Sequence, residues 1–235
     1  MPITEPYEIP SPVPEVSLWW CSLKLSAVDR DLPERWLSDA ERNRMQRFGN
    51  DTLRSRYLAG RASLRRLLSR SLDVEPAAVP IVRGPRGRPQ LAGHTDIDFN
   101  VSHTADAALI GIVRGLRIGV DIERADRVIN AAGIARKFMT ERERAVPAPH
   151  DAESARRHVL RLWTCKEAMS KATGDALSAP FAQIDVELEP RLRLAEGPDP
   201  YRPADWRLHV IATPEGFLGT VALWHARNAS SQSPA

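Results

Sequence analysis

The segment "GVDIER" at Gly119–Arg124 sets two carboxylates, Asp121 and Glu123, on either side of a single isoleucine. The residues leading into it, Leu116–Val120, are apolar or branched apart from Arg117, a pattern that predicts a strand. In a strand, positions i and i+2 share a face. Asp121 and Glu123 therefore point one way while Ile122 turns back to the core. An acid pair of this kind is often only a solvated edge, so its chemistry depends on what is brought against it.

A second stretch supplies a partner. In "RLWTCKEAMSKATG" (Arg161–Gly174), helical spacing puts Trp163, Glu167 and Lys171 along one stripe. Alone, a Glu–Lys pair at i,i+4 is a common surface device worth ~0.3–0.5 kcal/mol. Set against Asp121 and Glu123, however, Glu167 completes three hard oxygen ligands. Such a set suits Mg²⁺, which takes a few carboxylates, waters and substrate phosphates. It does not suit zinc: the six histidines are scattered, and neither cysteine has a ligand partner at metal spacing. Lys171, one turn beyond Glu167, is placed to reach a phosphate oxygen.

The third stretch, "DFNVSHT" at Asp98–Thr104, ends a strand in Asn, Ser, His and Thr. Adjacent Ser102 and His103 invite a hydrolase reading. Neighbours on a strand face opposite ways, though, and no nucleophile elbow is present. Binding of a phosphate, or of the adenosine part of a cofactor, is the preferred role.

The composition narrows the rest. The chain has 235 residues, 43% of them hydrophobic, enough for one large domain or two smaller ones. No apolar run approaches the ~20 residues of a membrane helix. The N-terminal "MPITEPYEIPSPVPE" lacks the features of a signal peptide. With only two cysteines, in unrelated contexts, a reducing cytoplasm is the expected location. Net charge is +3, but of 33 basic residues only four are lysines. Between Glu41 and Arg70 nine arginines meet two acids, Glu41 and Asp51, which favours an anionic partner. From charge alone, nucleic acid, a phosphorylated cofactor and an acidic protein surface all stay open.

The elements that must position these residues can be read from periodicity. The first fifteen residues hold five prolines and predict an extended arm. Val16–Leu25 reads as a strand, Pro33–Phe48 as a helix with a second part starting at Ser38–Asp39, and Asp51–Leu72 as a stronger helix capped by Asp51. "VRGPRGRPQLAG" reads as loop. Asp96–Val101, Ala107–Arg114 and Leu116–Glu123 predict an antiparallel meander, the first two strands joined by "SHTAD". Helices follow at Ile129–Phe138 and Ala152–Thr173, then strands at Phe181–Leu188, Arg191–Leu194, Trp206–Ala212 and Phe217–His225. Both halves repeat a helices-then-strands rhythm, which predicts an α+β architecture of two similar subdomains. No glycine fingerprint or Walker loop supports a dinucleotide fold or a P-loop.

Taken together, "FNVSHT", "GVDIE" and "WTCKEAMSKATG", with "GRP" at Gly87–Pro89 ahead of them, resemble the three motifs of the 4′-phosphopantetheinyl transferases. Length and the two-half rhythm are similar to the monomeric, surfactin-type branch, and the resemblance runs from about Arg44 to the end of the chain. It implies transfer of phosphopantetheine from coenzyme A to a serine of an acidic apo carrier protein, Mg²⁺-dependent, with release of adenosine 3′,5′-bisphosphate. The implied fold is two subdomains, each a small mostly antiparallel sheet with helices, related by a pseudo-twofold. Residues 1–115 would hold the coenzyme and 116–235 would carry the metal carboxylates and the carrier contacts. Carried over by position, Asp121, Glu123 and Glu167 would bind Mg²⁺, or Mn²⁺ in its place, with Asp121 also facing the coenzyme. Lys171 would sit at the diphosphate and leaving group, and Glu167 would act as base. Ser102, His103 and Arg88 would contact the adenosine 3′-phosphate region, and Arg44 and Arg56 other coenzyme phosphates. Apolar residues around Ile129–Met139 would add carrier contacts.

One departure stands out: where the family often has a second glycine after the third motif, this chain has "GDAL" at Gly174–Leu177, with Asp175 adding negative charge. Two other readings are carried forward. One is a nucleic-acid binder built on the Arg42–Arg70 block; the other is an Mg-dependent phosphohydrolase using the same carboxylates. The expected form is a monomer without nucleic-acid or membrane partners.

Overall fold

The structure is a computed structural model that describes residues 5–25, 30–84, 86–146 and 151–226. The first half of the chain forms β1 (Tyr7–Ile9), β2 (Val16–Ser22), α1 (Asp31–Arg35), α2 (Asp39–Gln46), α3 (Asp51–Leu72), β3 (Ile81–Arg83), β4 (Pro89–Leu91), β5 (Ile97–Thr104) and β6 (Ala107–Arg114). The second half forms β7 (Arg117–Arg124), α4 (Ala131–Phe138), α5 (Glu141–Ala145), α6 (Ala152–Thr173), β8 (Asp185–Glu187), β9 (Arg193–Glu196), β10 (Trp206–Val210) and β11 (Phe217–Trp224). Two antiparallel sheets, ordered β1-β2-β6-β5 and β10-β11-β7, give the α+β fold in two halves.

Alternation along the strands decides what each face meets. On β6, Ala108, Ile110 and Ile112 face α3 and pack with Leu64, Leu67, Leu68 and Phe99. The opposite face of that sheet, with Leu18, Leu109 and Val113, meets Ile118, Val120, Ile122, Val221 and Leu223 of the second sheet. That shared layer joins the halves. The remaining face of β7 and β11 is covered by α6, whose Leu162, Cys165, Ala168 and Met169 belong to a third cluster with Phe181, Ile184 and Leu208.

Two glycines make the close approaches possible. A Cβ on Gly111 would lie 2.8 Å from Ile118 and Val120 side-chain atoms. A Cβ on Gly119 would lie 1.8 Å from the Ala168 carbonyl oxygen, so α6 can sit directly on β7 only because position 119 has no side chain.

Several boundaries differ from the sequence expectation. The stretch read as loop contains the β3–β4 hairpin, turned by Gly87 at φ 78. The strand at Asp96–Val101 continues to Thr104, and only Ala105 and Asp106 make the turn. Asn50, not Asp51, caps α3, its side-chain oxygen accepting the Leu53 amide at 2.9 Å. Residues 181–183 form a 3₁₀ turn before β8. The proline-rich arm enters the first sheet as β1, paired to β2, while its first four residues lie outside the described part.

Candidate functional site

The edge strand of the first sheet, β5, runs beside β7 without backbone pairing. Side chains take the place of the missing ladder. Asp98 Oδ2 accepts the Ile118 amide at 2.8 Å, Asn100 Oδ1 that of Val120 at 3.0 Å, and Ser102 Oγ that of Ile122 at 3.2 Å. These acceptors sit two residues apart on β5, as their partners do on β7, so the strands run parallel in matched register. The spacing between sheets that this creates is where the candidate residues gather.

Asp121 and Glu123 share one face of β7, and both are buried, with Ile122 in the core. Lys171, held over β7 by α6, donates to Asp121 Oδ1 at 2.6 Å and to Ser102 Oγ at 3.0 Å. Ser102 Oγ also donates to Asp121 Oδ1 at 2.8 Å. The second oxygen of Asp121, Oδ2, is buried with no hydrogen-bond partner. Glu123 is ion-paired to Arg127 and accepts a 3.4 Å hydrogen bond from Thr104.

Glu167 lies one helical turn before Lys171 on the same stripe of α6. Burial pushes its carboxyl above the ordinary carboxylate range; Lys171 opposes the rise and the charges of Asp121 and Glu123 add to it. Glu123 is likewise pushed up by burial, opposed by Arg127 and reinforced by Asp121. The three carboxylates thus feel one another's charge. Among the described residues, no three His, Cys, Asp or Glu side chains are drawn together as a finished ligand set. Instead Lys171 and Arg127 balance two of the acids. The unpartnered Asp121 oxygen and the mutual repulsion of the carboxylates fit a hard divalent cation, which would satisfy both.

Beyond β5 lies a cleft of about 620 Å³. Because neighbours on a strand face opposite ways, Ser102 points to Asp121 while His103 lines this cleft. Arg44, Arg56, Arg61 and Arg83 line it too, with the aromatic pair Phe48 and Tyr57, whose ring centroids are 5.3 Å apart. No acidic residue lines it among the described residues. Arg56 pairs with Asp106 at 2.6 Å, outside the lining. The imidazole of His103 is held below its ordinary pKa, first by desolvation and then by the positive charges of Lys171 and Arg56, with Asp121 opposing them.

Arg88 is placed differently. It does not line the cleft, and its guanidinium grips Asp98 with two hydrogen bonds of 2.8 and 2.7 Å. It also donates to the carbonyls of Phe99, Ile118 and Lys171. Asp175 of the "GDAL" segment faces away from the carboxylates: it pairs with Arg86 and accepts from Tyr201 at 2.6 Å and Thr173 at 2.9 Å. Its negative charge is therefore compensated locally.

Sequence reasoning gave no individual role to Arg61, Arg83 and Arg127, and named Asn100 and Thr104 only as polar residues of the "DFNVSHT" stretch. Asn100 and Thr104 share the two-residue period of Ser102, so the strand pattern contained them. Arg127 follows β7 in a turn, where no periodicity applies.

Comparison with known proteins agrees along the chain. Residues 117–222 match the family model described as the 4′-phosphopantetheinyl transferase superfamily. Residues 30–112 match the one described as 4′-phosphopantetheinyl transferase, N-terminal. The chain is 32% identical over 192 residues to 4′-phosphopantetheinyl transferase HetI of Nostoc sp., covering 77% of this chain and 80% of that protein. It is 30% identical over 177 residues to a putative 4′-phosphopantetheinyl transferase of Synechocystis sp., covering 73% and 70% respectively. It is 25% identical over 180 residues to 4′-phosphopantetheinyl transferase Sfp of Bacillus subtilis, covering 76% and 79%.

Proposed function

The chain belongs to the 4′-phosphopantetheinyl transferase family, and we propose that it moves the phosphopantetheine of coenzyme A to a serine of an apo carrier protein with Mg²⁺ at Asp121, Glu123 and Glu167. The observation that carries this reading is the pairing of two neighbouring features. One is an arginine-lined cleft with no acid on its walls among the described residues, and the other is a buried carboxylate group just across β5.

Residues 1–115 form the coenzyme half. Arg44 and Arg56 meet phosphates, His103 contacts the adenosine end, and Phe48 and Tyr57 offer aromatic surface to the base. Residues 116–235 carry the reacting groups. The carrier serine attacks the phosphorus bearing the pantetheine; a new O–P bond forms and the bond to the bridging oxygen breaks. Adenosine 3′,5′-bisphosphate leaves. Glu167, one turn from Lys171 on α6, takes the serine proton. Lys171 moves its charge from Asp121 to the diphosphate, and Ser102 keeps Asp121 oriented. When bound, the metal supplies charge neutralisation at the diphosphate.

An acidic carrier surface suits a basic enzyme, and attraction between them speeds encounter. Ile129–Met139 is the proposed contact. The apolar contacts expected there are turned inward, since Ile134, Ala135, Phe138 and Met139 pack into the core with Trp163 and Phe181, and it is Arg136 and Lys137 that α4 presents outward. The working form is taken as a monomer. Among the described residues no helix is long and apolar enough to cross a membrane.

Intact-protein mass spectrometry tests the reading. Apo acyl, polyketide and peptidyl carriers are incubated with the enzyme, coenzyme A and Mg²⁺. Gain of one phosphopantetheine, lost with Asp121→Ala or with chelator, is expected. Release of free phosphopantetheine without a carrier would instead establish the phosphohydrolase.

A further inference from the structure

We propose that Arg127 is a metal-operated switch: a divalent cation at Glu123 releases its guanidinium, which the turn after β7 then offers, beside Val128, to an acidic carrier protein. This rests on the metal and carrier readings above.

Charge balance is the first argument. Asp121, Glu123 and Glu167 act on one another as three negative charges, and Lys171 and Arg127 answer two of them. A divalent cation at the carboxylates makes one of the two protein cations surplus. Lys171 is the better held. Its ammonium has three acceptors, Asp121 Oδ1, Ser102 Oγ and the Val120 carbonyl, and its side chain is 25% exposed. The Arg127 guanidinium meets Glu123 alone among the described residues, and its side chain is 48% exposed. It also competes directly for a ligand atom, since it holds Glu123 Oε1 while Thr104 reaches Oε2 only at 3.4 Å. Arg127 is therefore the cation that a metal displaces.

The build of the turn is the second argument. The Arg127 amide donates to the Arg124 carbonyl at 3.0 Å, and the Arg127 carbonyl accepts from Arg156 at 2.8 Å. Glu153 holds Arg156 in turn by two hydrogen bonds. Both polar backbone groups of Arg127 are thus fastened, one to the end of β7 and one to the first turns of α6, and only the side chain is left to move. The charges beside it are already satisfied by each other, Arg124 pairing with Asp126. Val128, next in the chain, is 94% exposed, more than any other large apolar side chain among the described residues. A released Arg127 sets a positive charge beside that bare side chain at the edge of the site. Such a pair suits an acidic surface that carries an apolar residue.

Linkage gives the consequence. Without a metal the cation stays on Glu123 and the turn offers no charge; with one, the carrier meets the guanidinium. If the metal strengthens carrier binding through Arg127, the carrier strengthens metal binding by the same factor. The acceptor protein is drawn to an enzyme that is ready to react.

Measurements without turnover test the switch, at pH 8 to keep the carboxylates ionised. Phenylglyoxal labelling of the full chain, read by peptide mass spectrometry, is expected to modify Arg127 faster once Mg²⁺ is added. Calorimetric titration with Mg²⁺ alone is expected to show Arg127→Gln binding about fivefold more tightly than wild type, the upper end for a half-exposed ion pair. Apo acyl, polyketide and peptidyl carriers are then titrated with and without Mg²⁺. The metal should strengthen the best-bound carrier about fivefold with wild type and by less than about twofold with Arg127→Gln. Metal that the acidic carrier takes up by itself acts equally on both enzymes, so the difference belongs to Arg127. The labelling uses wild type alone, so it stands even where Arg127→Gln does not fold. Labelling unchanged by Mg²⁺, equal Mg²⁺ affinities, or a metal effect on the carrier that survives in Arg127→Gln overturns the proposal. A wild-type chain that binds no Mg²⁺ overturns the metal reading instead, and one that binds no carrier in either condition overturns the carrier reading. Both results are distinct from any outcome with the variant.

Discussion

Asn100 Oδ1 accepts the Val120 amide hydrogen at 3.0 Å, so a side chain stands where a continuous sheet would have a carbonyl. Asp98 and Ser102 do the same for Ile118 and Ile122. The carbonyls along the seam are taken by side chains as well, Phe99 and Ile118 accepting from Arg88 and Val120 from Lys171. The halves are thus joined by apolar packing on one side of β7 and by a polar seam at its edge.

Replacing Asn100 with leucine removes the acceptor and leaves the buried Val120 amide unpaired. The cost expected for a stranded buried donor is about 1–3 kcal/mol. Hydrogen exchange read at single residues should show the Val120 amide losing protection first. Unchanged protection there would mean that the seam is not holding the strands.

Gly119 sets the distance between the acids and the helix that carries their partners. Gly119→Ala puts a methyl group 1.8 Å from the Ala168 oxygen, and α6 must lift. Overpacking of this kind costs about 1–3 kcal/mol. Because Glu167 and Lys171 move with the helix, a fall in kcat of about a hundredfold is expected from a displacement near one ångström. Gly49→Ala, with nothing within 4 Å of the added carbon, serves as the control and should be silent in both assays.

Much of this geometry was legible because it depends on local periods. Two-residue alternation placed Asp121 and Glu123 together with Ile122 in the core, and helical spacing put Glu167 and Lys171 on one stripe. The same alternation separates Ser102 from His103 and turns Arg88 away from the cleft, yet both were expected at one phosphate. The Ser102–His103 separation was already legible from strand alternation, and β5 running through Thr104 is what realises it. In the case of Arg88, glycine and proline masked a short hairpin. The side-chain seam could not be read at all, since polar residues at 98, 100 and 102 look like an exposed strand face until β7 is brought beside them. Asp175 shows the same limit: its compensating partners, Arg86 and Tyr201, are distant in sequence.

Lys166 gives a stability prediction independent of the reaction. Its ammonium is fully buried, 2.8 Å from Glu143, and donates to the carbonyls of Phe181 at 2.7 Å and Ile184 at 2.5 Å. Glu143 also accepts the amides of Thr140 and Val186. Lys166→Met leaves a buried carboxylate without its counter-charge, at an expected cost of about 3–5 kcal/mol. Adding Glu143→Leu should recover only part of that, because two amides then lose their acceptor. Chemical denaturation of the two variants measures the difference. Full recovery in the double variant would mean that the amide contacts contribute little.

His103 makes coenzyme binding depend on pH. Desolvation and the charges of Lys171 and Arg56 hold its pKa below the ordinary value, so the free enzyme carries it neutral at pH 7. A phosphate brought into the cleft favours the imidazolium and raises that pKa. Binding therefore takes up a proton, and affinity rises as pH falls from the bound-state pKa toward the lower free-state one. Below both values the gain is complete, and above both it is absent. Protonation of the phosphate itself, whose second pKa is about 6, works against the trend, so the wild-type affinity is read as a ratio to that of His103→Gln. The ratio should increase on acidification from pH 7.5 to 6. Calorimetry in two buffers of different ionisation enthalpy should report proton uptake that the variant lacks. Equal uptake in both proteins would assign the linked proton to another group.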